Sequence, residues 1–259
     1  MTDPAEESGA QLLARLASVL RPQLNDLDPF IFPNQGLFPN EIAEIAGDSG
    51  LGKTALLMHI MARVILPVEY GGKNGQTYFL LTEHNFDMDR FIWVLNKYIS
   101  EATISTEPFE SESDVLETSL QNLTIQRCFD ETQFELAIYN LHKVLQESSR
   151  YCLLAVDNIG AFYHTPKNQE KGQPFYMKEV LTKLRLVVNQ HHVSLVYTKP
   201  AYFTLKSVRN ITEIVNYFLK LTEMEDSSMV YEVECKSQDT SQKCLRKYEF
   251  DMNGCIEWK

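Results

Sequence analysis

Gly47, Asp48, Ser49, Gly50, Leu51, Gly52, Lys53 and Thr54 follow one another directly, three glycines in six positions closed by a cation and a hydroxyl. Chemistry at this spacing is anion binding. Glycines let the backbone curl around a phosphate without Cβ clashes. Backbone N–H groups at the start of a following helix meet its charge. Lys53 is placed for the β- and γ-phosphates of a nucleotide, and Thr54 offers its hydroxyl to Mg²⁺. The pattern counts only between a strand and a helix, and the sequence supplies both. Ile42 to Ala46 is a short apolar strand, and Leu56, Leu57, Ile60, Met61 and Val64 mark a helix.

Two carboxylates extend this reading. Leu153-Leu-Ala-Val-Asp157 places an acid at the end of a buried strand, where it would hold Mg²⁺ through water; the plain alternative is a helix N-cap. Thr82-Glu83 follows the apolar strand Thr77–Leu81. Glu83 could activate water for attack on a γ-phosphate, or be an ordinary exposed turn residue.

The elements that must position these groups alternate. Helical spacing runs over Asp87 to Tyr98, Gln133 to Leu145, and the stripe Met177, Val180, Leu181, Leu184, Val187 and Val188. Strand-like runs occur at Leu123 to Arg127, Tyr151 to Val156 and Val193 to Tyr197. Alternating strands and helices predict an α/β fold, a mostly parallel sheet with helices on both faces. After Phe218 three or so further strand-like runs predict an antiparallel extension, with Asp251 to Gly254 as a turn. Glu101 to Ser119 is acidic and rich in Ser and Thr, and is expected to be a solvated surface insertion.

Residues 1–40 read as a separate N-terminal part before a core at 41–259. Leu12, Leu13, Leu16, Val19 and Leu20 form an amphipathic stripe, followed by a Pro-rich linker to residue 40. The helix either packs on its own core or docks into a partner, with Leu12, Leu13 and Leu16 as anchors.

The formal net charge is −11 over 259 residues. A free-standing nucleic-acid binder usually carries a basic surplus, so DNA contact must come from a local loop or a partner. The segment from Lys199 to Arg209 is the candidate: Lys199, Lys206 and Arg209 are basic, and Tyr202 and Phe203 are aromatic. That composition suits stacking and tracking of single-stranded DNA, and also suits an ordinary solvated loop. His164 to Pro174, with Lys167 and Lys171, is a second candidate. No apolar run is long enough to span a membrane, and the N-terminus lacks the basic and apolar regions of a signal peptide. The five cysteines are widely spaced without a C-x-x-C, as expected of reduced thiols.

A phosphate loop, then Thr82-Glu83, then Asp157 followed by Asn158-Ile-Gly-Ala-Phe-Tyr163 is the order used by RecA-type recombinases. Within them the chain resembles a eukaryotic recombinase paralogue, through Glu7 to Leu16, Ala62 to Pro67, Phe86 to Arg90 and Ala161 to Tyr163. The resemblance spans most of the chain. It implies a RecA-like P-loop core binding ATP and Mg²⁺ through Lys53, Thr54 and Asp157, with Glu83 where active recombinases keep the catalytic base. It further implies nuclear work in homologous-recombination repair, in a hetero-oligomer with other paralogues that meets single-stranded DNA as a complex. Two departures bear on hydrolysis. His84 follows Glu83 where recombinases usually carry Gly, and Thr198-Lys199-Pro200 stands where they carry a γ-phosphate-sensing Gln. The resemblance therefore implies an accessory subunit; an active DNA-stimulated ATPase and a scaffold with a vestigial site are the rivals. Phe134-Glu-Leu-Ala137 spells the recombinase assembly motif, but inside the core, where packing is expected.

Overall fold

The computed structural model describes residues 21–28, 31–32, 36–83, 86–103, 111–203, 215–224, 231–237 and 243–259. Each long strand carries a run of mostly apolar residues and is buried over nearly its whole length, as strands covered on both faces must be. These are β3 (Ile42–Gly47), β4 (Gln76–Leu81), β6 (Tyr151–Asp157) and β7 (Ser194–Pro200). With β5 (Leu123–Arg127), β8 (Tyr217–Glu223), β9 (Tyr231–Ser237), β10 (Lys243–Phe250) and β11 (Ile256–Trp258) they form one nine-stranded sheet. Its order is β11-β10-β9-β8-β3-β7-β6-β4-β5. From β8 to β5 every pairing is parallel; β9, β10 and β11 join antiparallel. Phe218 lies in β8, which runs parallel to β3, and the three strands after it form the expected antiparallel extension.

Helices cover both faces. The α1 (Lys53–Ile65), α2 (Met88–Thr103) and α3 (Glu112–Gln121) helices pack over one apolar cluster with Ala43, Ile45 and Leu153. The α4 helix (Glu131–Glu147) and, after the short α5 (Pro166–Lys171), α6 (Gln173–His191) pack over the other with Ile42, Leu154 and Leu195. Alternation along β3 and β6 sends successive side chains to opposite clusters. Phe134 and Ala137 of α4 are buried there, as packing residues.

Two expectations need correction. The described residues between 21 and 40 are not a linker reaching away from the core. Leu24, Leu27, Phe32 and Leu37 are at most 1% exposed and belong to the α1 cluster. Burying such side chains contributes roughly 1.5–3 kcal/mol each, enough to hold the segment down. A small antiparallel pair, β1 (Leu24–Asn25) and β2 (Gly36–Leu37), closes it. Gly36 at φ 123° lies against the Leu24 carbonyl, where a Cβ would collide with backbone. Arg21 ties the segment to the core by donating to the carbonyls of Leu145 and Tyr151 at 2.6 Å. The second correction is α3, which occupies half of the expected surface insertion. Ser111 caps it by accepting from Asp114 N, Glu112 and Asp114 favour its N-terminal dipole, and Val115 packs inward. The sparse apolar face hid it. The N-terminal stripe of Leu12, Leu13 and Leu16 lies outside the described residues.

Candidate functional site

The site gathers at the carboxyl ends of adjacent parallel strands, the crevice where open α/β sheets bind ligands. Gly47 ends β3, Asp157 ends β6, Thr198 lies near the end of β7, and Thr82 and Glu83 follow β4.

The loop between β3 and α1 curls over five residues. Gly52 caps α1 at φ 81° and uses no side-chain cap, so the first N–H groups of the helix stay unpaired by side chains. Lys53 Nζ turns back and donates to the Asp48 carbonyl at 2.8 Å. Burial pushes its ammonium pKa down, while the carboxylates of Asp157, Glu83 and Asp48 pull it up. Gly50, at φ 86°, has open space where a side chain would project.

Asp157 is 2% exposed and carries two threonine hydroxyls. Thr54 Oγ1 donates to Oδ2 at 2.6 Å, and Thr198 Oγ1 donates to Oδ1. Burial pushes the Asp157 carboxyl up; the hydroxyls of Thr198 and Thr54 and the charge of Lys53 hold it down. Thr82 joins β4 to β6: it accepts from Asn158 N at 2.7 Å and donates to the Asn158 carbonyl at 2.8 Å. The Asn158 side-chain amide donates to Glu83 Oε1, while its Oδ1 is buried without a partner among the described residues. Glu83, Asn158, Thr82, Asp157, Thr54 and Lys53 are thus brought into one cluster. Sequence reasoning missed the buttressing by Thr82, Thr198 and Asn158. Each is a small polar residue in or just beyond a strand end, a signal too common to stand out.

The residue set suits a nucleotide and a hard cation. Lys53 is a point charge beside a helix N-terminus, Gly50 leaves room, and Thr54 and Asp157 are oxygen donors of the kind Mg²⁺ takes.

The DNA-contact expectation fares differently along its length. Lys199 is 6% exposed; its Nζ pairs with Glu44 Oε1 at 2.6 Å, and Tyr197 donates to Glu44 Oε2 at 2.5 Å. A charge taken out of water needs such a partner, and this one cannot also reach a phosphate. Phe203 is fully buried, edge-on to Tyr163 at 5.2 Å and against Gly160. Neither residue presents itself to DNA, and both are withdrawn as contacts. The clue to Lys199 was Glu44, an acid inside an otherwise apolar strand. Tyr202 lies in a short 3-10 turn, while Lys206, Arg209 and His84 lie outside the described residues. In the second candidate loop Lys167 faces Glu131 at 3.7 Å and Lys171 pairs with Glu179 at 2.8 Å.

A phosphate loop on the central strand of this sheet, with an acid closing the next strand but one, defines a RecA-like core. The family model for Rad51 matches residues 25–207, and the chain belongs to the Rad51 family. It is 34% identical to DNA repair protein XRCC2 of Mus musculus over 158 residues, 61% of this chain and 53% of that protein. It is 24% identical to DNA repair protein RAD51 homolog 3 of Cricetulus griseus over 162 residues, 60% of this chain and 44% of that protein. The chain spans about half the length of the curated relatives it matches.

Proposed function

We propose that the chain is an ATP-binding recombinase paralogue, an accessory subunit of a hetero-oligomer in homologous-recombination DNA repair. The observation that carries the reading is the arrangement of Lys53, Thr54 and Asp157 around the phosphate loop. Similarity to two proteins named for DNA repair supports the setting. Lys53 would leave the Asp48 carbonyl for the β- and γ-phosphates. Thr54 and Asp157 would hold Mg²⁺, whose charge offsets that of the phosphates. Glu83 stands where a water-activating base would stand, but the Asn158 amide engages it, and Thr198 occupies the place of a sensing Gln with its hydroxyl committed to Asp157. These commitments favour binding over rapid hydrolysis.

Partners in this reading are other recombinase paralogues, with Leu12, Leu13 and Leu16 as anchors. The place of work is the nucleus, and single-stranded DNA is met within the complex through Tyr202, Lys206 and Arg209. Among the described residues no helix is long and apolar enough to cross a membrane. The test is titration calorimetry of the wild type and Lys53→Ala with ATP and Mg²⁺. Loss of a charge-assisted phosphate contact should weaken binding about a hundredfold, beyond detection in a modest binder. Equal affinity of the two proteins would remove the nucleotide reading.

A further inference from the structure

The C-terminal strands are seated on the phosphate loop. Tyr248, fully buried in β10, donates its hydroxyl to the Leu51 carbonyl at 2.6 Å. Two residues on, the Phe250 ring lies so close to Gly52 that a Cβ there would overlap it. The two rings meet edge to face at 5.7 Å, and the Arg90 guanidinium lies 5.7 Å from the centre of Phe250. The same strands are pinned to α1 from the other end, where Ile256 N donates to His59 Nε2 at 3.1 Å.

We propose that Tyr248 and Phe250 are positioning residues for nucleotide binding, which set the conformation of the phosphate loop from outside it. This role rests on the nucleotide reading above. A trans peptide is planar, with its C=O and N–H pointing opposite ways. The Leu51 carbonyl and the Gly52 N–H belong to one such plane. Holding the carbonyl on the β10 side turns the Gly52 N–H away from β10, which leaves it free to serve as a donor to an incoming phosphate. Phe250 acts on the same residue. Its ring fills the place of a side chain at Gly52 and steadies the left-handed φ of 81°, a conformation glycine alone adopts without strain. Without the two side chains the loop would sample other peptide orientations, and ordering them on binding would cost affinity. By linkage the effect is reciprocal: whatever β10 does for the nucleotide, bound nucleotide does for β10.

The test uses the full chain. Affinity for ATP with Mg²⁺ is measured by calorimetry for the wild type, Tyr248→Phe, Phe250→Ala and Lys53→Ala, and backbone hydrogen exchange in β10 is followed with and without saturating ATP. Removing one hydrogen bond in Tyr248→Phe should weaken ATP about fivefold; removing the ring in Phe250→Ala should weaken it about tenfold or more. Exchange at Tyr248 and Phe250 should slow on adding ATP to the wild type and not change in Lys53→Ala. A purely structural role for β10 would lower the melting temperature without any ATP-dependent change in its exchange, and that result overturns the proposal. Wild-type affinity in Tyr248→Phe, with Lys53→Ala defective, overturns it while leaving the nucleotide reading intact. Absence of ATP binding by the wild type overturns both. Should Phe250→Ala fail to fold, Tyr248→Phe, which removes a single oxygen, decides the matter.

Discussion

Asp157 is the residue on which the site turns, because both of its carboxyl oxygens are engaged before any ligand arrives. A buried acceptor that loses its donor costs about 1–3 kcal/mol. Thr198→Val, which keeps the shape and removes the hydroxyl, should therefore lower the melting temperature by on the order of 5 °C. Thr198 is also one of the groups holding the Asp157 carboxyl down against burial. Without it the carboxyl rises further, so ATP affinity measured with Mg²⁺ should fall away at a higher pH in the variant than in the wild type. Calorimetric titrations at several pH values check this, and identical profiles would show that Thr198 does not act through Asp157. The buried Glu44, Tyr197 and Lys199 make the same point in reverse: residue type suggested a phosphate contact for Lys199, and a carboxylate from a neighbouring strand claimed it first.

Elements meet at His59, on the buried face of α1. Its Nε2 accepts from Ile256 N of β11, so the proton sits on Nδ1, which faces the Tyr98 hydroxyl of α2 at 2.9 Å. Burial, helped by the charges of Lys97, Arg90 and Arg63 and opposed by Asp251, pushes the imidazole down to about 3. Between about pH 3 and the ordinary histidine value of ~6.5 the unfolded chain binds a proton that the folded chain refuses. Stability is therefore full above that window and falls as pH drops through it, by up to roughly 1.4 kcal/mol per pH unit. Urea unfolding between pH 7 and 5 should show this slope, and His59→Gln should flatten it. A slope unchanged in the variant would assign the pH dependence to other groups.

At the scale of the whole molecule, the phosphate loop lies between α1 and the C-terminal hairpin, with Glu83 and Asp157 reaching it from the ends of two other strands. In the proposed reading the groups that would bind nucleotide lie within one chain, while Glu83 is engaged by Asn158 and Thr198 by Asp157. Turnover by the isolated chain should accordingly stay well below the ~1 s⁻¹ low end of typical enzymes. A phosphate-release assay without partner or DNA checks this, and several turnovers per second would overturn the accessory reading in favour of an active ATPase.

What could be read from the sequence was local. The run from Gly47 to Thr54, the apolar strand ending in Asp157 and the stripes of α1, α4 and α6 each lie within a short stretch, so spacing alone declares a backbone cradle, a buried strand or a one-sided helix. The parallel sheet followed from their alternation. Tertiary structure decided what depends on residues far apart in the chain. Leu51 and Tyr248 are 197 positions apart, as are His59 and Ile256; Glu44 and Tyr197 are 153 apart. It was such contacts that buried Lys199 and Phe203, drew Leu24, Leu27, Phe32 and Leu37 into the core and set Phe250 on Gly52. A contact of that kind leaves no periodicity behind, because either partner alone satisfies its own strand or loop equally well facing water.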